Sequence, residues 1–205
     1  MRLLELFCGT KSVSKAVGNR FTEVVSLDIV PTFNPTIVAD ILTWDYTVYP
    51  PGYFHTVWAS PPCQDFSCLN YSRPEKSKDT TFAESLVKRA IEIITYFNPE
   101  RFFIENPQTG TLKDKECMIG LPYVDMDYCR FGFPYRKRTR FWTCVDGASK
   151  LCLGQGGCLG MIGKRHKHAM GNGSYEEYWT ERGKRLEQRY SIPKGAIEEL
   201  FGFPY

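Results

Sequence analysis

The chain has 205 residues, 42% of them hydrophobic and 15% aromatic, with a formal net charge of +3 at pH 7. This composition excludes a disordered or collagen-like chain, and the length fits one domain with a core of its own. Residues 1–100 carry 9 Lys+Arg against 11 Asp+Glu and residues 101–205 carry 17 against 12, so the protein is no basic coat for nucleic acid, although its second half suits a polyanionic partner.

Met1-Arg2 runs straight into Leu3–Phe7, which reads as a first strand and not as a signal peptide. No apolar run approaches the roughly 20 residues of a membrane span. The eight cysteines are therefore expected to be reduced, in a cytoplasmic compartment. After Cys8-Gly9-Thr10, Ser12–Val17 starts a helix. Further apolar runs follow at Glu23–Leu27, ended by Asp28, and at Thr36–Val38, ended by Asp40. A fourth, Thr56–Ala59, is ended by Ser60-Pro61-Pro62-Cys63. Phe82, Leu86, Ala90, Ile93, Ile94 and Phe97 have helical spacing within Thr81–Phe97, and Arg101–Ile104 is a fifth run, ended by Glu105-Asn106-Pro107. This βαβ rhythm predicts a parallel sheet with helices on both faces, in which ligands bind beyond the carboxyl ends of the strands. Gly9, Asp28, Asp40, Cys63 and Glu105 all fall at such ends and point to one site along one edge.

The second half changes character. Tyr123–Phe131 and Arg140–Val145 read as an antiparallel pair joined by a basic turn, Pro134 to Thr139. A glycine-rich insert follows, holding Cys152, Cys158, His166 and His168, and then a charged, helix-compatible stretch over residues 176–190. Ala196–Phe201 reads as a short helix stopped by Gly202. The expected division is a core over 1–145, an insert over 146–189 and a return to the core over 190–205.

Three groups carry candidate chemistry. Cys63, after two prolines and at an expected helix start, feels the positive end of a helix dipole, which favours thiolate. Glu105 ends an apolar strand, where a carboxyl group can act as a proton donor. Arg138 and Arg140, two apart on a strand, share a face and can converge on an anion or a carbonyl.

Phe7-Cys8-Gly9, Asp28, Asp40, Pro61-Pro62-Cys63-Gln64, Glu105-Asn106, Arg138-Thr139-Arg140 and Leu200-Phe201-Gly202-Phe203-Pro204 occur in the order of the motifs of the cytosine-C5 DNA methyltransferases, and the chain resembles that family from Leu3 to Pro204. The short insert and the wording around Arg138 look most like its compact phage and virus branch. The resemblance implies a Rossmann-like fold dependent on S-adenosylmethionine, with Cys63 as the nucleophile on C6 of cytosine and Glu105 bonded to N3 and the exocyclic amine. It further implies that Arg138 and Arg140 hold the base carbonyl and a phosphate. Phe7, Gly9 and Pro62 would receive the cofactor, Asp28 its ribose, and Asp40 with Ile41 its adenine. The partner implied is double-stranded DNA with a flipped cytosine, bound by a monomer. Transfer RNA as substrate, and a nucleic-acid-binding member without catalysis, are the alternatives. Lys11 and Ser12 stand where the family has glycines. Cys152, Cys158 and His166, with Cys144 or His168 as a fourth ligand, make a candidate zinc site of irregular spacing, weighed against free thiols. Lys164–His168 equally suits phosphate.

Overall fold

Leu3, Leu4 and Leu6 are fully buried and make Arg2–Leu6 (β1) a central strand. The structure is a computed structural model that describes residues 1–67, 79–158, 160–166 and 191–202. Beside β1 lie β2 (Glu23–Asp28), β3 (Ile37–Val38), β4 (Thr56–Ala59), β5 (Arg101–Pro107), β6 (Tyr123–Asp127) and β7 (Arg138–Thr143), in the order β3-β2-β1-β4-β5-β7-β6. The first five in that order run parallel, while β7 is antiparallel to both of its neighbours. This is the Rossmann-like, mostly parallel sheet with an antiparallel edge hairpin that the sequence predicts.

Strand alternation sorts the sheet's side chains onto two covered faces. Leu4, Leu6, Val57, Ile104 and Trp142 meet the long helix over Thr81–Phe97 through its buried stripe of Ala83, Leu86, Val87, Ala90, Ile93, Ile94 and Phe97. Leu3, Trp58, Phe103 and Phe141 face the other way, onto α1 (Ser12–Val17) and the helix Lys194–Phe201. In chain order the long helix is α2 and the last is α3. Each fully buried large apolar side chain in these layers contributes roughly 1.5–3 kcal/mol of transfer free energy. Phe82, expected on the stripe of α2, is instead 64% exposed. The buried stripe starts one residue later, at Ala83, and turns Phe82 away from the sheet.

Two strand boundaries also move. The expected strand Tyr123–Phe131 ends at Asp127, because Tyr128–Phe131 winds into a 3₁₀ turn closed by Gly132 at φ 86°. The expected strand Arg140–Val145 begins two residues earlier, at Arg138, which lies directly opposite Asp127. Among the described residues the insert contributes a small hairpin, β8 (Met161–Ile162) with β9 (Arg165–His166). The expected charged helix over 176–190, together with Cys68, Lys167, His168 and Phe203-Pro204, lies outside the described residues. Among the described residues no helix is long and apolar enough to cross a membrane.

Candidate active site

β1 pairs with β2 on one side and β4 on the other, so the chain reverses its direction of travel across the sheet at this point. The loops leaving β1 and β4 diverge there and open a crevice. Backbone bonds hold the strand ends in register: Cys8 N–H donates to Leu27 O at 3.1 Å, Ala39 to Asp28 O at 3.1 Å and Ser60 to Leu6 O at 3.2 Å. The result is a cavity of about 450 Å³, within the ~300–1,000 Å³ typical of small-molecule sites. Phe7, Gly9, Asp28, Asp40, Ile41, Pro62, Cys63 and Glu105 all line it. The structure thus brings together every expected residue from the parallel half of the sheet.

At one end stand two carboxylates. Asp28 accepts the Gly9 N–H at 2.8 Å on one oxygen and the Val30 N–H at 2.9 Å on the other. These bonds fix the loop after β1, in which Phe7 (φ 54°), Gly9 (φ 45°) and Lys11 (φ 58°) all take left-handed conformations. Such conformations cost a residue with a side chain roughly 1–2 kcal/mol. Lys11 sends its ammonium to the carbonyl of Asn34, and its side chain does not enter the cavity wall. Ser12 does line the cavity and accepts the Ile192 N–H at 3.2 Å. Asp40 accepts the Leu42 N–H at 2.9 Å. Ile29, Val30, Phe33 and Phe82, all exposed, give this end an apolar rim.

Glu5 is a cavity residue the motif reading missed. It is buried on β1 and accepts hydrogen bonds from the Val13 and Ser14 N–H groups, at 3.3 and 3.2 Å, and from the Ser14 hydroxyl. Burial pushes its carboxyl group up to about 7, against the lowering effect of these bonds. A signal was present in the sequence, since Glu5 is the one charge inside Leu3–Phe7.

At the other end Cys63 faces Glu105. The loop carrying Cys63 is fastened to the strand carrying Glu105, because Asn106 donates its side-chain amide to Pro61 O at 3.0 Å and Thr111 N–H bonds Phe66 O at 2.8 Å. Gly110 permits that approach, for a Cβ there would sit 2.9 Å from Phe66 O. No helix starts at Cys63. Among the described residues a turn follows it and α2 begins at Thr81, so no helix N-terminus sits at the thiol. Burial raises the Cys63 thiol pKa, Glu105 adds to the rise, and the Lys137 ammonium opposes it. Cys8, also at the cavity, is pushed up to about 12, mainly by burial.

Glu105 accepts the Tyr128 hydroxyl at 3.3 Å and lies 3.9 Å from the Lys137 ammonium, which is also 5.0 Å from the Tyr128 ring centre. Tyr128 is fully buried, and this burial holds its phenol pKa well above the usual value. Arg138 and Arg140 are not in the cavity wall. Arg138 makes a bidentate pair with Asp127 at 3.0 and 2.8 Å, and Arg140 pairs likewise with Asp125 at 2.8 and 2.9 Å while lying over the Tyr123 ring. Each arginine sits directly opposite its aspartate on β6, so the residues that share a face do so on the side away from the cavity. Lys137, one residue out of phase, takes the place expected of them.

A second cluster lies apart, at the insert. The side-chain donors of Cys129, Cys152, Cys158 and His166 fall within 4.8 Å of one another. Cys144, expected as a possible fourth member, is exposed and bonded to Glu100 O at 3.6 Å. Cys129 was not foreseen, because the 3₁₀ turn that presents it lay inside an expected strand.

No family model matches the chain. The probable DNA (cytosine-5)-methyltransferase of Frog virus 3 (isolate Goorha) is 37% identical over 216 residues, covering 98% of each chain. Two solved structures share the fold. One is a putative DNA modification methyltransferase encoded within a prophage of E. coli, with TM-score 0.51 and 15% identity over 70% of this chain and 46% of that one. The other is the S. pombe Dnmt2 methyltransferase, with TM-score 0.52 and 18% identity over 74% of this chain and 53% of that one. The match thus spans about half of each solved chain.

Proposed function

The chain belongs to the DNA (cytosine-5)-methyltransferase family, and on that premise we propose that Cys63, Glu105 and Lys137 carry its chemistry at one end of the cavity while Asp28 and Asp40 hold the cofactor at the other. The reaction is methyl transfer from S-adenosylmethionine to C5 of cytosine in DNA. The donor set fits that cofactor: two carboxylates can accept from hydroxyl and amine groups, and the apolar rim suits the face of an adenine. S-Adenosylmethionine, when bound, supplies an electrophilic methyl group on a sulfonium.

The rest falls to the chain's own residues. A cytosine inside a duplex cannot reach a thiol in this cavity, so the base enters flipped out of its stack. The Cys63 sulfur adds to C6 as thiolate and leaves again once the C5 proton is lost, which restores the ring. Glu105, positioned by the Tyr128 hydroxyl, meets N3 and the exocyclic amine. Lys137 favours the thiolate and offsets negative charge that develops on the base, so it takes the electrostatic part expected of the arginines. Zinc enters this reading at the insert, as a structural ion and not a reactant.

The observation that supports this reading is the convergence of Cys63, Glu105 and Lys137, from three separate segments, on the cavity that also holds both aspartates. DNA carrying 5-fluorocytosine tests it, because fluorine at C5 cannot leave as a cation. Incubation with S-adenosylmethionine should trap a covalent complex whose mass maps to Cys63, and Cys63→Ala should abolish both trapping and methyl transfer while still binding cofactor. An adduct on Cys8, or turnover by Cys63→Ala, would refute the assignment.

A further inference from the structure

We propose that Cys129, Cys152, Cys158 and His166 bind one zinc ion, and that this ion fastens the glycine-rich insert to the outer edge of the sheet. The inference is independent of the methyl-transfer reading, since none of these residues lines the cavity.

The first argument is geometric. Tetrahedral zinc, with Zn–S near 2.3 Å and Zn–N near 2.0 Å, sets its ligand atoms about 3.5 Å apart for sulfur and nitrogen and about 3.8 Å apart for two sulfurs. The His166 Nε2 atom lies 3.5 Å from the Cys152 sulfur and 3.4 Å from the Cys158 sulfur. All four donor atoms fall within 4.8 Å of one another, so one centre can serve them all with small adjustments. Three thiols and an imidazole form a Cys₃His set, a common structural zinc site.

The second argument is the surrounding shell. The Gly154 N–H points at the Cys152 sulfur at 3.4 Å, a bond that a metal-bound thiolate uses better than a neutral thiol. Asp127, itself paired with Arg138, accepts the Cys152 N–H at 2.8 Å. Gly154 (φ 73°) and Gly156 (φ 84°) turn the chain so that Cys152 and Cys158 face one another. Gly160 lets it pass His166, whose ring would lie 3.4 Å from an added Cβ.

The third argument is what the segment lacks. Leu151, Leu153 and Ile162 are exposed, so burial does little to hold residues 151–166 in place. Among the described residues the segment is joined to the sheet by the bridge of Lys150 with Met126, by the Cys152 N–H on Asp127 and by the cluster itself, in which Cys129 belongs to the sheet edge and the other three ligands to the insert. A segment without its own core needs a staple of this kind. Binding converts three thiols to thiolates and releases their protons to solvent, with no change of oxidation state.

Metal analysis of the full chain purified from zinc-supplemented cells should find one zinc per chain. Replacement by cobalt(II) should give the visible bands of a tetrahedral site and the near-ultraviolet band of thiolate coordination. Cys129→Ser and Cys158→Ser should lose the zinc, whereas Cys117→Ser and Cys144→Ser should keep it. Chelation of the wild type should release three thiols to a thiol reagent and open residues 151–166 to protease, with S-adenosylmethionine binding retained. The wild-type cobalt spectrum decides the matter even if a serine variant fails to fold. Wild type without zinc, full zinc in both Cys129→Ser and Cys158→Ser, or a disulfide among these cysteines would overturn the proposal. Zinc bound with no gain in protease sensitivity on its removal would overturn the fastening role.

Discussion

The parallel and antiparallel halves of the sheet place their functional side chains by different rules. In the parallel half much of the cavity wall is loop just past strand ends, with Glu5, Asp28 and Glu105 coming from the strands themselves, and such a loop stays at the ligand edge even if the strand boundary shifts by a residue. In the antiparallel half the side chains come from within or beside β7, where successive residues face opposite ways. A shift of one residue there exchanges Lys137 for Arg138 at the cavity. The lining of the cavity is thus robust to register at the carboxyl edge and sensitive to it in the hairpin.

The sharpest way to break this comparison is to exchange the roles of neighbours. Lys137→Ala should lower turnover at saturating DNA by about 10²–10³-fold, the loss typical of removing one electrostatic stabiliser. Arg140→Ala should leave turnover nearly unchanged, for its largely buried side chain pairs with Asp125 and does not line the cavity. Steady-state kinetics on both variants decide it; the reverse ranking would return the arginines to the site.

Arg138 should instead matter for stability. Asp127 is fully buried, and Arg138→Met leaves its charge without its main partner, a loss of about 3 kcal/mol, at the low end for buried pairs because Arg138 is about a third exposed. Burial pushes the Asp127 carboxyl up, but Arg138 and the Cys152 N–H outweigh it and hold its pKa below the usual value. The pair therefore contributes only while Asp127 is ionised. Urea titrations should show the gap between wild type and Arg138→Met narrowing as pH falls below the ordinary carboxylate range.

In the parallel half, Asp40→Ala should weaken S-adenosylmethionine binding about tenfold to a hundredfold by calorimetry, the worth of one charged hydrogen bond, with DNA affinity unchanged. Asp28→Ala should do at least as much, because it also frees the Gly9 loop.

The smallest effect links the halves. Burial raises the Cys63 thiol and Lys137 lowers it, so alkylation of Cys63 in the free enzyme should rise only above the pH range of an ordinary thiol. In Lys137→Ala the rise should move to still higher pH. A profile that does not move would mean that Lys137 does not act on the sulfur.

These contrasts also explain what could be read from the sequence. Apolar runs and their terminators located β1 to β5 and α2 to within a few residues, because a buried parallel strand is continuous in hydrophobicity and its end is marked by a polar or bent residue. Cys63, Glu105, Asp28 and Asp40 were legible for that reason. The environment of Cys63 was not, since the helix expected to favour its thiolate does not begin there. Nor was Cys129, which a 3₁₀ turn at Tyr128–Phe131 aims at ligands 23 to 37 residues further along the chain. Local patterning carries no signal for such a meeting.

The bond from Ile192 to Ser12 spans 180 residues and lies at the cavity wall. A ligand filling the cavity would touch the first loop and the segment at Ile192 at once, so its binding depends on both being folded in place. Occupancy is then coupled to global unfolding. At a hundred times its dissociation constant, a ligand that recognises the native state alone adds about 2.7 kcal/mol to stability. Saturation with S-adenosylmethionine should therefore slow proteolysis of the protein as well as support its reaction.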